Sequence, residues 1–206
     1  AGLPWEVKNP KIVGVHLKGK MSGWTSAKDV IIKLLGILTV KGGTNKIIEY
    51  FGEGVDSISC TGKGTIANMG AELGATCSVF PYDKRMADYL GVTNRTNLHD
   101  VASKNADLLK ADDEVVSEPH KYYDEVIEID LSALEPHITG PHSPDAARPI
   151  SAMKEAAKKE GWPTELSAAL IGSCTNSSYE DISRATHVAQ QALDKNHKMP
   201  KQFMVS

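Results

Sequence analysis

The sequence is poor in cysteine and lacks the spacings that cysteines show in closed metal sites. Its 206 residues contain three cysteines, Cys60, Cys77 and Cys174, and it has no C-x-x-C motif. An odd number of cysteines excludes a fully paired disulfide framework, and the missing C-x-x-C motif argues against a zinc site closed within this sequence. The cysteine content therefore favours a reducing compartment.

Long apolar runs and an excess of charge of one sign are also missing. Apolar stretches such as DVIIKLLGIL are short or interrupted, and they do not approach the ~20 residues that a membrane-spanning helix needs. The formal net charge is only −3, so the chain as a whole has no field that would attract nucleic acid or an acidic membrane. We therefore expect neither nucleic acid nor a membrane among its partners.

The sequence does have the composition of a folded globular protein. Its 41% hydrophobic and 24% charged residues argue against extensive disorder. Predicted strands and helices alternate along the chain, which is typical of a three-layer α/β/α fold with a partly parallel sheet. We predict strands at KIVGVHLK, KIIEYFG, DSISCTG, SVFP, YDEVIEIDL, SAALIGSC (buried) and KQFMVS, and helices at GWTSAKDVIIKLLGIL, residues 65–75, DKRMADYLG, NLHDVASKNADLLK, SAMKEAAKKEG and SSYEDISRATHVAQQAL, with KADDEVVSEPHK as an exposed connection.

Prolines are concentrated in one segment of the chain. Four of them, at positions 136, 141, 144 and 149, fall within fourteen residues. Such a segment is typical of an exposed connection between domains. We therefore predict a first complete domain over residues 1–135, a proline-rich linker over 136–150, and the truncated start of a further domain over 151–206.

Cys174 lies in the stretch LIGSCTNSSYEDI, at a predicted corner between a strand and a helix. Ser178 can cap this helix together with Asp181 three residues later. Backbone N–H groups at such a helix end stabilise a thiolate or a bound anion, and a thiolate is the form that binds metal or attacks an electrophile. A half-buried cysteine that merely packs at the end of a sheet is an alternative that the spacing leaves open.

A second stretch, Gly62-Lys-Gly64-Thr-Ile-Ala67, formally fits the dinucleotide-binding pattern G-x-G-x-x-G/A. In that pattern an acidic residue about 20 residues later ends a second strand and binds the ribose. Here Asp83 instead opens a predicted helix, so we favour the simpler interpretation that the glycines allow a tight turn.

Asn68 and Glu72 are four residues apart and share one face of the helix predicted over 65–75. Their neighbours on this face are small, so an amide and a carboxylate could enter a crowded polar site there. An ordinary solvent-facing pair is the alternative. The seven histidines show no spacing typical of metal ligands.

Several motifs together resemble the aconitase family. IGSCTNSSYED, at residues 171–181, resembles the cysteine signature of that family, and TIANMGAELGAT, SGWTSAKDVI and TVKGGT resemble its mitochondrial type. The resemblance spans essentially the whole chain. Isopropylmalate isomerases and homoaconitases share the cysteine signature but resemble this chain less around Asn68 and Glu72, and they remain the alternative substrate classes.

The resemblance implies a hydro-lyase that interconverts citrate and isocitrate through cis-aconitate, using a [4Fe–4S] cluster with one Lewis-acidic iron. It implies that Cys174 is a cluster ligand, that Glu72 serves the substrate hydroxyl or water, and that Asn68 supports the surroundings of the cluster. The implied partners are a tricarboxylate substrate and the remaining domains of the same protein. The implied location is the mitochondrial matrix or a bacterial cytoplasm.

The sequence also departs from the family pattern. The other two cluster ligands of the family lie in a C-x-x-C motif that this sequence does not contain, and neither Cys60 nor Cys77 matches a ligand position. Because one of three ligands cannot hold a cluster, we expect this chain to be an internal fragment that is inactive by itself. A stand-alone α/β module that kept the fold and lost the chemistry is the alternative from another class.

Overall fold

The computed structural model describes residues 2–4, 6, 8–198 and 203–205, and the chain forms two compact units, Ala1–Ile150 and Ser151–Ser206. Short 3-10 turns occur at Glu53–Ser57, Met69–Ala71, Ala106–Leu108 and Ile150–Ala152. The strands are β1 (Lys11–Lys18), β2 (Lys46–Phe51), β3 (Cys77–Val79), β4 (Glu125–Asp130), β5 (His137–Thr139), β6 (Ala147–Pro149), β7 (Ala169–Ile171) and β8 (Phe203–Val205). The helices are α1 (Ala27–Leu38), α2 (Cys60–Asn68), α3 (Lys84–Val92), α4 (Thr96–Lys104), α5 (Asp113–Ser117), α6 (Pro119–Tyr122), α7 (Met153–Glu160) and α8 (Tyr179–Asp194).

The first unit is built on a parallel sheet with the strand order β3-β2-β1-β4. The connections through α1 and α2 step along the sheet in one direction, and the connection from β3 to β4 steps back past both inner strands. Helix α1 packs against α2, and α6 packs against β4. The predicted α/β class with a mostly parallel sheet is confirmed.

The core lies between the sheet and α1. The central strand β1 forms where it is predicted, and its Val13, Val15 and Leu17 side chains are fully buried. The predicted helix α1 buries five of its apolar residues, because they recur with the period that places them on one side of a helix. They are Val30, Ile31, Leu34, Leu35 and Leu38.

The proline-rich segment carries an antiparallel hairpin of β5 and β6, and it is attached to both ends of α1. At the start of α1, the buried Asp29 carboxylate accepts a hydrogen bond of 2.7 Å from the backbone N–H of His137. Just beyond its end, Val40 N–H donates to the Asp145 carboxylate at 3.2 Å. The segment therefore belongs to the first compact unit. The domain boundaries of the complete protein stay a prediction.

The prediction for residues 53–75 is wrong in two places. DSISCTG was predicted as a strand, but it forms a 3-10 turn and the start of α2, because the Ser59 hydroxyl accepts a hydrogen bond of 2.9 Å from Gly62 N–H and caps the helix. The helix predicted over 65–75 ends at Asn68, and a 3-10 turn follows it. The G-x-G-x-x-A pattern therefore lies inside α2 and not at a strand-to-helix turn.

Residues 84–122 form α3 to α6, and none of their side chains is buried. The helices predicted here as DKRMADYLG and NLHDVASKNADLLK are present, although the first continues through Gly91 to Val92. KADDEVVSEPHK is mostly exposed, as predicted, but it contains the short helices α5 and α6.

In the second unit, α7 ends at Gly161, whose φ of 68° is the left-handed conformation predicted for a helix-closing glycine. α8 matches the predicted helix. β7 is shorter than predicted, and the expectation of a buried strand is wrong: Leu170 is exposed and its two neighbours are only partly covered. β7 pairs with β8 in parallel, and of the predicted final strand residues 201, 202 and 206 lie outside the described residues.

Candidate functional site

Asn68 and Glu72 lie at the end of α2, on a turn that the shortened helix creates. Asn68 is the last residue of α2, the 3-10 turn Met69–Ala71 follows, and Glu72 closes that turn. Both side chains are exposed. The argument that one continuous helix places them on one face is therefore wrong, but the structure does bring an amide and a carboxylate to the same short turn.

This turn lies close to β3 at Gly70. A Cβ atom added at Gly70 would lie 2.5 Å from the Ser78 hydroxyl oxygen, so a larger residue there would require that hydroxyl group to move. Ser78 lies on β3, in register with Ile48 of the neighbouring strand. The sheet therefore sets the position of the turn between Asn68 and Glu72.

α2 also carries a buried charge that the sequence analysis missed. Lys63 is only 2% exposed, and its ammonium group forms an ion pair with the Asp83 carboxylate. Asp83 also caps α3, because its other carboxylate oxygen accepts a hydrogen bond of 3.0 Å from Met86 N–H. The two residues are twenty positions apart in the sequence. A local sequence pattern can predict that Asp83 caps a helix, but it cannot predict that Asp83 pairs with Lys63.

Cys174 lies, as predicted, at an exposed corner between β7 and α8. The chain reaches this corner through Gly172 and Ser173, which have φ values of 149° and 70°. The sulfur is 3.8 Å from the Thr175 hydroxyl oxygen. A left-handed residue directly before Cys174 turns the chain sharply and leaves the thiol at the surface of this unit.

Polar contacts hold the polypeptide that follows Cys174. The Asp181 carboxylate accepts hydrogen bonds from Ser178 N–H at 3.1 Å, from the Ser178 hydroxyl at 2.6 Å and from the Asn176 amide at 3.1 Å. The Ser177 hydroxyl donates to the carbonyl oxygen of Ser173. The capping box predicted for Ser178 and Asp181 is confirmed.

The described part of the chain does not fit a complete iron–sulfur cluster. Among the described residues, no group of three or more histidine, cysteine or acidic side chains is placed to hold a metal ion. Cys60 begins α2, and burial raises the pKa of its thiol, which disfavours the thiolate that a metal requires. Cys77 and Cys174 are the two exposed cysteines.

No helix in the described residues is long and apolar enough to cross a membrane.

Comparison with known proteins gives one family for the whole chain. The sequence profile of the aconitase family (aconitate hydratase) matches residues 1–206. The chain is 59% identical over 207 residues to the mitochondrial aconitate hydratase of Candida albicans, 57% identical over 206 residues to that of Schizosaccharomyces pombe, and 56% identical over 206 residues to a probable mitochondrial aconitate hydratase of Caenorhabditis elegans.

Each of these alignments covers 100% of the chain but only 25% or 26% of the relative. The chain thus spans about a quarter of the length of the relatives it matches. The family profile and the identities of more than half the residues agree with the cysteine signature at residues 171–181 and with the parallel α/β sheet described above. On these grounds the chain belongs to the aconitase family.

Proposed function

We propose that this chain is part of an aconitate hydratase that interconverts citrate and isocitrate through cis-aconitate. The observation that supports this most directly is the match of all 206 residues to the aconitase family, at 54–59% identity to proteins named mitochondrial aconitate hydratase, including probable ones. These names favour citrate and isocitrate over the substrates of isopropylmalate isomerases. They also lead us to propose the mitochondrial matrix as the location.

We propose that Cys174 is one of three cysteine ligands of a [4Fe–4S] cluster in the complete protein. Its exposure at the corner before α8 supports this role, because a ligand thiol must be open to residues outside its own unit. When bound, such a cluster supplies a Lewis-acidic iron. The Asp181 contacts fix the backbone behind the thiol, so the sulfur is presented at a defined place.

Glu72 and Asn68 are the protein side chains of this chain that act on the substrate. The protonated Glu72 carboxyl group donates a proton to the hydroxyl group that leaves as water, and in the hydration direction the carboxylate takes a proton from the entering water, which is general acid–base catalysis. The Asn68 amide can donate a hydrogen bond to an oxygen atom of the substrate or of the surrounding site. Both groups are exposed in this unit, so the rest of the protein would complete and close the site around them.

The test uses the complete protein after anaerobic reconstitution, with turnover followed as cis-aconitate absorbance and with iron and acid-labile sulfide measured in parallel. We expect turnover and a stoichiometric cluster in the unmodified protein. Cys174→Ser should leave little stable cluster, whereas the control Cys77→Ser, at another exposed cysteine, should retain it.

Two results would contradict the proposals separately. Normal iron and sulfide in Cys174→Ser would remove the ligand role from this residue. A full cluster in the unmodified protein with no conversion of citrate or isocitrate would overturn the aconitate hydratase function and favour the module that lost its chemistry.

A further inference from the structure

The helical segment 84–122 has an apolar surface that its own unit does not cover. It contains α3 to α6, yet none of its residues is buried. Large apolar side chains are exposed in all parts of it. They are Val92, Leu98, Val101, Leu108, Leu109 and Val116. A soluble protein rarely exposes so many apolar groups in one segment unless they contact a partner.

The pattern on α4 is that of a helix packed against protein. Leu98 and Val101 are three residues apart, so they lie on the same side of the helix, and Ala102 extends that side. Such spacing normally marks the face that a helix turns towards a core. Here Leu98 is 52% exposed and Val101 is 61% exposed. The residues of this face are of the kind that normally pack in a protein interior, yet in this unit they are exposed to solvent.

A groove lies beside the same segment. It has a volume of about 420 Å³, and its apolar lining includes Val79, Phe80, Met86, Leu108 and Leu109.

The groove is tied to α4 and has one carboxyl group in its wall. The Tyr82 side chain lines the groove, and its hydroxyl oxygen lies 3.0 Å from that of Ser103 on α4. The carboxyl group belongs to Glu49, and burial raises its pKa. An apolar groove can accept side chains from a neighbouring polypeptide segment.

The distribution of charged residues along this segment indicates which class of partner could cover the surface. Residues 84–122 contain six lysines and arginines and seven aspartates and glutamates, mixed along the segment. Nucleic acid and anionic membranes bind through clusters of positive charge, which this mixture does not provide. An apolar patch among charges of both signs suits a protein surface.

We propose that the apolar face of segment 84–122, centred on Leu98 and Val101, is covered by the part of the same polypeptide that lies outside this chain. The chain makes up about a quarter of the length of its relatives, so some three-quarters of such a protein is available to cover it. The proposal rests on the proposed function only in requiring that longer polypeptide. A second copy of the protein is the competing occupant.

The test compares thiol labelling at two adjacent positions of α4 in the complete protein. Val101→Cys reports on the apolar face, and Asp100→Cys is the matched control, because the Asp100 side chain is 68% exposed in this unit and points away from that face. A maleimide labels both variants, and tryptic digestion isolates the label. The peptide Thr96–Lys104 follows Arg95 and contains no native cysteine.

We expect Val101→Cys to react at least roughly tenfold more slowly than Asp100→Cys in the native protein and equally fast in denaturant, since burial blocks access to the thiol. Leu98→Cys, on the same face and in the same peptide, is a second variant that should be equally protected. Equal native rates at positions 98, 100 and 101 would overturn the proposal.

Dilution of the protein distinguishes coverage by the rest of the same polypeptide from coverage by a second copy. If the protection at Val101→Cys disappears as the protein is diluted to a monomer, the occupant is a second copy and the proposal is wrong. The rates are independent of turnover, so a protein that shows the protection but does not convert citrate would refute the proposed function and leave the covered surface intact.

Discussion

Glu72 is an exposed carboxylate at the end of a turn, and this exposure is compatible with the role we propose for it, because an acid–base group must reach the substrate. The turn begins at Asn68 and lies against β3, where the backbone of Gly70 comes close to the Ser78 side chain. A flexible loop would let the carboxylate occupy many positions. A turn fixed to the sheet restricts it, and this is what a positioned catalytic group requires.

At this scale we predict the effect of Glu72→Gln in the complete protein. The amide keeps the size of the side chain but can neither donate a proton to a departing hydroxyl group nor accept one from an entering water molecule. We expect turnover of citrate to fall by ~100-fold or more, the contribution of a positioned acid or base. Iron and sulfide content should be unchanged, because Glu72 is not proposed as a ligand.

The matched control is Glu155→Gln, an exposed carboxylate in the first turn of α7. Its turnover should stay within about twofold of the unmodified protein. Unchanged turnover in Glu72→Gln would remove this residue from the reaction. Loss of the cluster in the same variant would mean that it acts through structure and not through proton transfer.

Among the elements, α2 begins where a strand is predicted, and a cap at Ser59 and packing of the helix together explain the difference. The sequence DSISCTG predicts a strand, and Thr61 and Gly62 in the first turn of α2 have poor helix propensity. The Ser59 hydroxyl satisfies the backbone N–H of Gly62, and buried Ile66 packs the helix against the core. Cap and packing together outweigh the local propensity.

The ion pair between Lys63 and Asp83 joins α2 to α3, and we predict that the two partners are not equally replaceable. Asp83→Asn keeps the cap on α3 but leaves the buried Lys63 ammonium without its counter-charge. Breaking a buried pair in this way costs about 3 to 5 kcal/mol. Lys63→Met leaves Asp83 uncompensated, and since its side chain is 14% exposed, water can partly compensate the carboxylate.

Hydrogen exchange of the α2 amide groups in the complete protein measures this difference as the free energy of opening. We expect Asp83→Asn to lose more protection than Lys63→Met, and the double variant to recover most of it because no buried charge remains. If Asp83→Asn left the exchange unchanged, the pair would not contribute to holding the two helices together.

For the whole molecule, the main fact is that the proposed site residues are divided between two compact units. Cys174 belongs to the second compact unit, Asn68 and Glu72 belong to the first, and the described part of the chain contains no cluster of metal ligands. The proposed activity therefore belongs to the complete protein. In this proposal the chain contributes one thiol, one carboxylate and one amide to that activity.

We accordingly predict the result of anaerobic reconstitution of the 206-residue chain alone. Iron and acid-labile sulfide should remain far below the amounts required for one cluster per chain, because one thiolate cannot hold a cluster of four irons. Burial disfavours the thiolate of Cys60 as a substitute ligand. A stoichiometric cluster would mean that Cys60 and Cys77 had been recruited, and the chain would then be a complete site in itself.

The sequence by itself determined the parts of this protein that depend on local pattern. Alternating apolar residues in β1, apolar residues at helical spacing in α1, the glycine after α7 and the capping box before α8 each predict their element, because each depends on residues within one or two turns of the chain. The corner that carries Cys174 follows from β7 and α8 in the same way.

Only the tertiary structure decided the features that depend on residues distant in sequence. The end of α2 at Asn68, the approach of Gly70 to Ser78, the burial of Lys63 against Asp83 and the attachment of the hairpin to α1 all need the folded sheet to bring separate segments together. A local sequence pattern cannot predict which distant group pairs with a buried charge or a buried backbone N–H. That pairing stabilises the protein only after folding has brought the two groups together.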